Sequence, residues 1–181
     1  MSRLIALDLP IPWDALRPAL GSADPWDAGG VVLAQAGTPA WGWEEVPPAL
    51  AIPSTPLRAA TSVPRWWVDH VVVLVPDLAR AIERFAAVGL DPRLRMQVED
   101  RPAAFFRAGP VIEVIESPVR GDAIYGVALA TDEPLGVVAL RLRAAGFDAS
   151  DPRPAIQPHR RILTIGGLGA GLAIMSPDDA A

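Results

Sequence analysis

Residues 68–85 read "VDHVVVLVPDLARAIERF", and this stretch decides the fold. Its apolar run, Val71–Val75, predicts a strand that is covered on both faces. The segment that follows has apolar side chains at helical spacing after Asp77, which is a favoured N-cap residue. The stretch therefore predicts a buried strand followed by a helix over Leu78–Val88. An ionisable imidazole, His70, stands at the head of the strand, and this position needs an explanation.

The rest of the chain repeats this beginning. After the first helix we expect three strands, near Leu94–Val98, Ala103–Arg107 and Val111–Glu116. A second series then follows, with a strand over Tyr125–Thr131, a helix over Leu135–Ala145 and strands near Arg161–Ile165 and Leu172–Met175. The two series align at Val71 with Val127 and at Ser117 with Ser176. An internal repeat of this size predicts an α+β protein with two tandem βαβββ modules that form a cupped mixed sheet.

The N-terminal part has a different composition. All six tryptophans lie in the first 67 residues. A proline-rich segment, "VPPALAIPSTPLR", separates the first four from the last two. We expect a strand in "RLIALDLPI", a helix in "PWDALRPAL", and a pair of strands in "GGVVLAQAG" and "PAWGWEEV" joined by a turn at 37–39. The proline-rich segment should run extended over the surface. The domain interpretation is an extension over 1–65, which is either a degenerate half-module or a cap, followed by modules over 66–120 and 121–181.

The composition excludes several kinds of chemistry. The 181 residues contain no cysteine, so no disulfide, thiol nucleophile or thiolate metal ligand is available. All 16 basic residues are arginine, which excludes Schiff-base chemistry on lysine. A net charge of −5 without a basic stripe argues against a nucleic-acid partner. The apolar runs are too short for a membrane helix or a signal peptide, so we expect a cytoplasmic protein.

The repeated pattern resembles a known group of proteins. The first module carries "VDHVVVLVPDLARAIERFAAVGLDP" and "AGPVIEVIESP", and the second matches more loosely in "AIYGVALATDEPLGVVALRLRAAGFDASDPRPAIQPHRR" and "GLAIMSP". These stretches are similar to the glyoxalase/bleomycin-resistance/dioxygenase superfamily, also called vicinal oxygen chelate. The resemblance covers about residues 66–177 and implies a cup formed by two βαβββ sheets. It also implies that the protein is a homodimer.

In that superfamily the cup usually holds a divalent metal, with two ligands from each module. The resemblance therefore places His70 and Glu113 as the ligand pair of the first module, suited to zinc, nickel, manganese or iron. The second module departs from the pattern, because His70 aligns with Gly126 and Glu113 aligns with Leu172. The implied site is only half complete, and the cofactor is either one divalent metal or none.

Other residues of the second module are candidates for the cup. His159 can swing in beside His70 and Glu113 or remain solvated on its loop. Arg160 and Arg161 differ in parity as they enter a strand, so one of them can face the cup and hold the carboxylate of a ligand. Tyr125 is either a ligand-binding or acid residue or an ordinary strand aromatic.

Three functions remain open at this level. The first is a protein that binds a small apolar or aromatic molecule in the cup, as the metal-free bleomycin-resistance branch does. The second is a divalent-metal lyase, isomerase or dioxygenase that uses His70 and Glu113. The third is a regulatory module that contacts a partner through its tryptophans, in which case Trp41 and Trp43 would form the contact surface.

Overall fold

A computed structural model describes residues 2–21, 25–63 and 65–177. In these ranges the chain forms three helices and fourteen strands. The N-terminal part contains β1 (Leu4–Leu9), α1 (Trp13–Leu20), β2 (Trp26–Asp27), β3 (Val32–Gln35), β4 (Ala40–Trp43) and β5 (Thr61–Ser62). The first module contains β6 (Trp66–Val75), α2 (Leu78–Ala86), β7 (Leu94–Val98), β8 (Arg101–Arg107) and β9 (Val111–Glu116). The second module contains β10 (Ala123–Thr131), α3 (Leu135–Ala144), β11 (Asp148–Ala149), β12 (Arg153–Pro154), β13 (Arg161–Gly166) and β14 (Gly171–Met175).

The two modules share one sheet of nine strands. Its order is β11-β13-β14-β10-β6-β9-β8-β7, and β12 pairs with β13 beside this path. In each module the first strand lies parallel to the last, β6 with β9 and β10 with β14. The first strands β6 and β10 pair antiparallel at the centre and join the modules. The predicted α+β class with two βαβββ modules is confirmed, and only the two-residue strands were absent from the prediction.

The helices cover one face of this sheet. Val71, Val73 and Val75 point to that face and are fully buried in a continuous core. In the same core Phe85 of α2 stacks on Phe106 of β8 at a centroid distance of 4.0 Å. The described residues include no helix that is long and apolar enough to cross a membrane.

The opposite face of the nine-stranded sheet carries the alternate side chains, and we call it the cup face. Val72 and Leu74 of β6 point to this face and remain partly exposed. The expectation that β6 is covered on both faces is therefore wrong, because the helices pack on one side only.

The helix signals that were read from the sequence are confirmed. The Asp77 side chain accepts a hydrogen bond of 2.9 Å from the backbone N–H of Arg80 and caps α2. Gly89, just beyond this helix, has a φ of +77°, a left-handed conformation that favours glycine. A second cap comes from β9, since Glu116 accepts a hydrogen bond of 3.0 Å from the N–H of Leu78.

The N-terminal strands form a separate five-stranded sheet with the order β4-β1-β3-β2-β5. The strands β3 and β4 occur where they were predicted, but they do not form a hairpin with each other. β1 lies between them, parallel to β3 and antiparallel to β4. The connection β1-α1-β2-β3, with β3 parallel to β1 and antiparallel to β2, matches the connectivity of a module with one strand fewer.

Most of the tryptophans belong to the core. Four of them are buried, namely Trp13, Trp26, Trp41 and Trp66. They belong to the same apolar cluster as the module residues, and α1 packs against α3.

The proline-rich segment crosses the N-terminal sheet and is held there by a buried carboxylate. Asp8 of β1 accepts hydrogen bonds from Thr55 at 2.7 Å and from both terminal nitrogens of Arg58 at 2.6 and 2.8 Å. Leu50 and Ile52 are buried against the core, so this segment is packed more tightly than an extended surface strand.

Candidate functional site

A bulge in β6 brings two neighbouring side chains to the cup face. In the pairing with β10, Ala128 is opposite His70 and Leu129 is opposite Val68, which leaves Asp69 without a partner residue. An extra residue of this kind re-aims side chains that would otherwise alternate between the faces. Asp69 and His70 can therefore contact each other although they are adjacent in sequence.

The bulge supports a chain of polar contacts that reaches the second module. Nδ1 of His70 lies 2.8 Å from Oδ2 of Asp69. The other oxygen of Asp69 accepts a hydrogen bond of 2.7 Å from Arg160, whose side chain is only 6 % exposed. Arg160 also donates to the backbone carbonyl of Ser176 at 2.8 and 3.0 Å. Asp69 thus orients the imidazole, and Arg160 holds Asp69 in place.

Glu113 lies on the other side of the imidazole. Its Oε2 is 3.5 Å from Nε2 of His70, and its side chain is 13 % exposed. Burial raises the pKa of Glu113, and the charges of His70 and Arg101 offset this only in part.

The second carboxyl group of the site shifts in the opposite direction. Burial acts to raise the pKa of Asp69, but hydrogen bonds from His70 and Arg160 outweigh it, so this pKa is lowered. The site therefore combines one carboxyl group whose pKa is lowered, Asp69, with one whose pKa is raised, Glu113.

The second module has no donor side chains at the equivalent positions. Val71 pairs with Ile112 and Val127 pairs with Leu172, so the register makes Ala173 the equivalent of Glu113. The sequence alignment with Leu172 was wrong by one residue, because Leu172 points to the buried core on the other face.

Gly126 is the equivalent of His70, as the sequence predicts, and it has no room for a side chain. A Cβ placed on Gly126 would lie 2.1 Å from the carbonyl oxygen of Gly171 on the adjacent strand. The close approach of β10 and β14 therefore excludes any side chain donor at this position.

The donor set does not fit a tightly held transition metal. Transition metals in proteins are typically held by three or four protein ligands, whereas His70 and Glu113 supply two. Within residues 2–21, 25–63 and 65–177 there is no group of three or more His, Asp or Glu side chains that could hold an ion. Asp69 does not complete the set, because it bonds to Nδ1 on the far side of the imidazole.

A second bulge brings Tyr125 to the cup face. In β10, Ile124 is opposite Val73 and Gly126 is opposite Val72, so Tyr125 is the extra residue. Its ring lies over Gly171, where a Cβ would be 2.8 Å from a ring carbon, and the residue is 58 % exposed. The alignment of the modules makes Tyr125 the counterpart of Asp69, so each module has a bulge at the same position.

The remaining candidates, His159 and Arg161, do not contact His70 or Glu113. The exposed Arg161 donates a hydrogen bond of 2.5 Å to the carbonyl of Pro152. His159 is exposed in a turn with a φ of +64°, and no contact joins it to His70 or Glu113. Of the two arginines, Arg160 is the one near the site, and its nitrogens are occupied by Asp69 and Ser176.

A groove that was not identified from the sequence lies next to the cluster. Its volume is about 330 Å³, and it is lined by Arg93, Phe105, Phe106, Arg107 and Val111. Val111 is the register partner of His70, and Phe105 is the register partner of Glu113. The alternation of Phe105 and Arg107 along β8 is the signal that could have revealed it, since both have the parity of the cup face.

The sequence matches no family model and no curated protein, but solved structures match in fold. A methylmalonyl-CoA epimerase from Mycobacterium tuberculosis is 21 % identical, with a TM-score of 0.50 and coverage of 61 % of this chain and 87 % of its own. A hypothetical protein from Bacillus halodurans is 15 % identical, with a TM-score of 0.54 and coverage of 64 % and 97 %. A Streptomyces coelicolor methylmalonyl-CoA epimerase in complex with 2-nitronate-propionyl-CoA is 16 % identical, with a TM-score of 0.51 and coverage of 62 % and 94 %.

Identities of this size establish the fold and not the activity. The paired βαβββ modules and the central β6–β10 pairing make up the part of this chain that the solved structures share in fold. The chain has the fold of the glyoxalase/bleomycin-resistance/dioxygenase superfamily, as the sequence resemblance predicts.

Proposed function

We propose that the protein binds a small molecule on the cup face without a metal ion. The ligand has an apolar or aromatic body and an anionic group. The body lies on Phe105 and Val111, and the anionic group pairs with Arg93 and Arg107. The observation that carries this proposal is the groove beside the Glu113–His70 pair, with two arginines in its lining.

The two arginines are available to a ligand. In the part of the chain that the structure describes, the side chains of Arg93 and Arg107 form no ion pair or hydrogen bond, in contrast to Arg160. Guanidinium groups are well suited to carboxylates and phosphates, which they can bind through two parallel hydrogen bonds. The phenyl ring of Phe105 offers an apolar surface between the arginines and Glu113.

The other half of the cup face offers a ligand small residues and one exposed aromatic ring. Gly126, Gly171 and Ala173 present almost no side chain to this face. The exposed ring of Tyr125 stands above Gly171 and can stack on a planar group. The similar Streptomyces coelicolor epimerase was solved with 2-nitronate-propionyl-CoA, a compound with anionic phosphates, which is in keeping with an anionic ligand here.

The proposal is tested with 8-anilinonaphthalene-1-sulfonate, an aromatic anion whose fluorescence rises on binding. We expect saturable binding, and a Kd that rises about tenfold in the double variant Arg93→Gln/Arg107→Gln, which corresponds to about 1.4 kcal/mol. Arg95→Gln is the control for removal of a nearby positive charge, because Arg95 of β7 lies two residues after Arg93 but lines a different groove, with Leu78 and Ile82 of α2.

The outcomes separate the proposal from non-specific dye adsorption. An unchanged Kd in the double variant, or an equal loss in Arg95→Gln, would contradict the proposal. Binding should also weaken at high salt, since the ion pairs of the dye with Arg93 and Arg107 would lie near the surface.

The enzymatic alternative is a divalent-metal lyase, isomerase or dioxygenase. It is favoured by one observation, the Asp69–His70 contact, which directs Nε2 toward Glu113. It requires donors beyond these two, from His159 or a second copy of the chain. Metal analysis of protein purified without a histidine tag decides between the two. About one zinc, nickel, manganese or iron per chain, lost in His70→Ala, would overturn the metal-free proposal.

Two further expectations are kept as proposals. A homodimer is expected from the resemblance and is tested by light scattering. A partner surface built on the tryptophans would require an exposed aromatic patch. Trp41 is only 1 % exposed, and Tyr125 is the one exposed aromatic among the described large apolar residues.

The domain limits are likewise kept as a proposal. We take residues 1–65 as an N-terminal unit, 66–120 as the first module and 121–181 as the second. The shared β-α-β-β connectivity supports interpretation of the N-terminal unit as a shortened module.

A further inference from the structure

We infer that the N-terminal sheet carries a second small-molecule site, which takes an organic monocation with an apolar body. This goes beyond the proposed function, since the site lies on a different sheet and uses none of the residues of the cup face. Its ligand also has the opposite charge.

The site is a groove of about 500 Å³ between the N-terminal sheet and the chain segment 57–60. Its volume lies within the range of about 300–1,000 Å³ that small-molecule pockets occupy. Ile5 and Val32 line it from adjacent strands, and Leu57 lines it from the crossing segment. Leu57 is 61 % exposed, so an apolar ligand would cover a side chain that now faces solvent.

Trp43 provides an aromatic wall that is held in place. Its ring makes an edge-to-face contact with the buried Trp41, with centroids 5.2 Å apart and an interplanar angle of 89°. The face of an indole ring attracts ammonium groups more strongly than any other side chain ring. Its buried Nε1–H also lacks an acceptor among the described residues, which leaves one donor of this wall unsatisfied.

The charges of the lining favour a cation. Asp27 and Glu44 line the groove, and neither forms an ion pair within the described residues. Oδ1 of Asp27 is fixed by a hydrogen bond of 2.6 Å from the N–H of Gly30. Arg58 also lines the groove, but its charge is matched by the buried Asp8. Arg3 lies beside Gly30 at one end and offsets one carboxylate, so an excess of one negative charge remains.

The test uses benzyltrimethylammonium as the probe and neopentylbenzene as its neutral isostere. The readout is the Trp43 indole cross-peak in a ¹H–¹⁵N correlation spectrum, assigned with Trp43→Phe. We expect benzyltrimethylammonium to shift this cross-peak with saturation and the isostere to leave it in place. The Kd should rise about five- to tenfold in Asp27→Asn/Glu44→Gln, and binding should weaken in 0.5 M salt.

The controls keep charge and folding separate. Asn at position 27 retains an oxygen for the bond from Gly30, so the double variant should keep its loop. Glu83→Gln/Asp91→Asn removes the same net charge from exposed positions outside the groove and should leave the Kd unchanged. Leu57→Lys places a positive charge at the exposed rim, and it should weaken binding even if the double variant misfolds.

Several results would overturn the inference. These are no shift of the Trp43 cross-peak, an equal response to the neutral isostere, or an equal loss of affinity in Glu83→Gln/Asp91→Asn. The sulfonate dye experiment tests the cup face separately, so one proposal can be refuted while the other stands.

Discussion

Replacing Gly126 with alanine tests why the second module lacks a donor at the position equivalent to His70. The new Cβ would meet the carbonyl oxygen, carbonyl carbon and Cα of Gly171 at 2.1, 2.6 and 2.6 Å. These are backbone atoms of a paired strand, so no side chain can rotate away to relieve the overlap. Overpacking of a core costs about 1–3 kcal/mol, and we expect the upper end here. For a chain of this size, about 3 kcal/mol lowers Tm by roughly 6–12 °C.

The assay is differential scanning calorimetry of Gly126→Ala against Gly136→Ala. Gly136 is in α3, and a Cβ there would meet nothing within 4 Å. Alanine should therefore leave Tm unchanged or raise it, because alanine is favoured over glycine in helices by up to about 1 kcal/mol. A Tm for Gly126→Ala within about 1 °C of the original protein would refute the argument. It would mean that β10 and β14 can separate, and that a ligand could be introduced at this position.

The remaining predictions concern the polar cluster and one helix cap. Because burial raises the pKa of Glu113 above its unfolded value, the stability that this group contributes is fully present below the unfolded pKa and is lost as pH rises through the folded pKa. Glu113→Gln should remove this loss, so that its Tm falls less between pH 4 and 8 than that of the original protein; a steeper fall would contradict the assignment. Arg160→Met should cost about 2–3 kcal/mol in urea unfolding, since it leaves Asp69 partly buried without its guanidinium, and Asp69→Asn in that background should add little. An additive result in this double-mutant cycle would show that the two residues act independently. Asp77→Ala should lower stability by about 1 kcal/mol through the lost cap of α2, whereas Asp77→Asn should retain most of it; equal losses would exclude the cap as the cause.

Local patterns predicted the modules well for reasons that particular residues show. The strand Val111–Glu116 was predicted with its observed limits, because a run rich in β-branched side chains lies between a Gly-Pro turn and a Ser-Pro turn. The start of α2 was predicted from Asp77 and its end from Gly89 to within two residues. The two-residue strands β2, β5, β11 and β12 escaped prediction because they have no periodicity of their own and exist only through their partners.

The candidate site was predicted in part. His70 and Glu113 were placed together by the resemblance, and the structure brings their side chains to 3.5 Å. The role of Asp69 was missed, because simple alternation assigns it to the face opposite His70, and only the bulge brings the two together. The groove with Arg93 and Arg107 was missed for a related reason, since it depends on which strands are neighbours across the sheet.

The sequence by itself determined the order and type of the main elements, the repeat of the βαβββ unit and the absence of cysteine and lysine chemistry. These properties follow from local periodicity, turn residues and composition, which act over a few residues. Only the tertiary structure decided that β1 separates β3 from β4, that Asp69 and Arg160 fix the imidazole across the two modules, and that Gly126 excludes a second histidine. Each of these depends on strand register and on contacts between distant segments, and a shift of one residue in register would move every side chain of a strand to the other face.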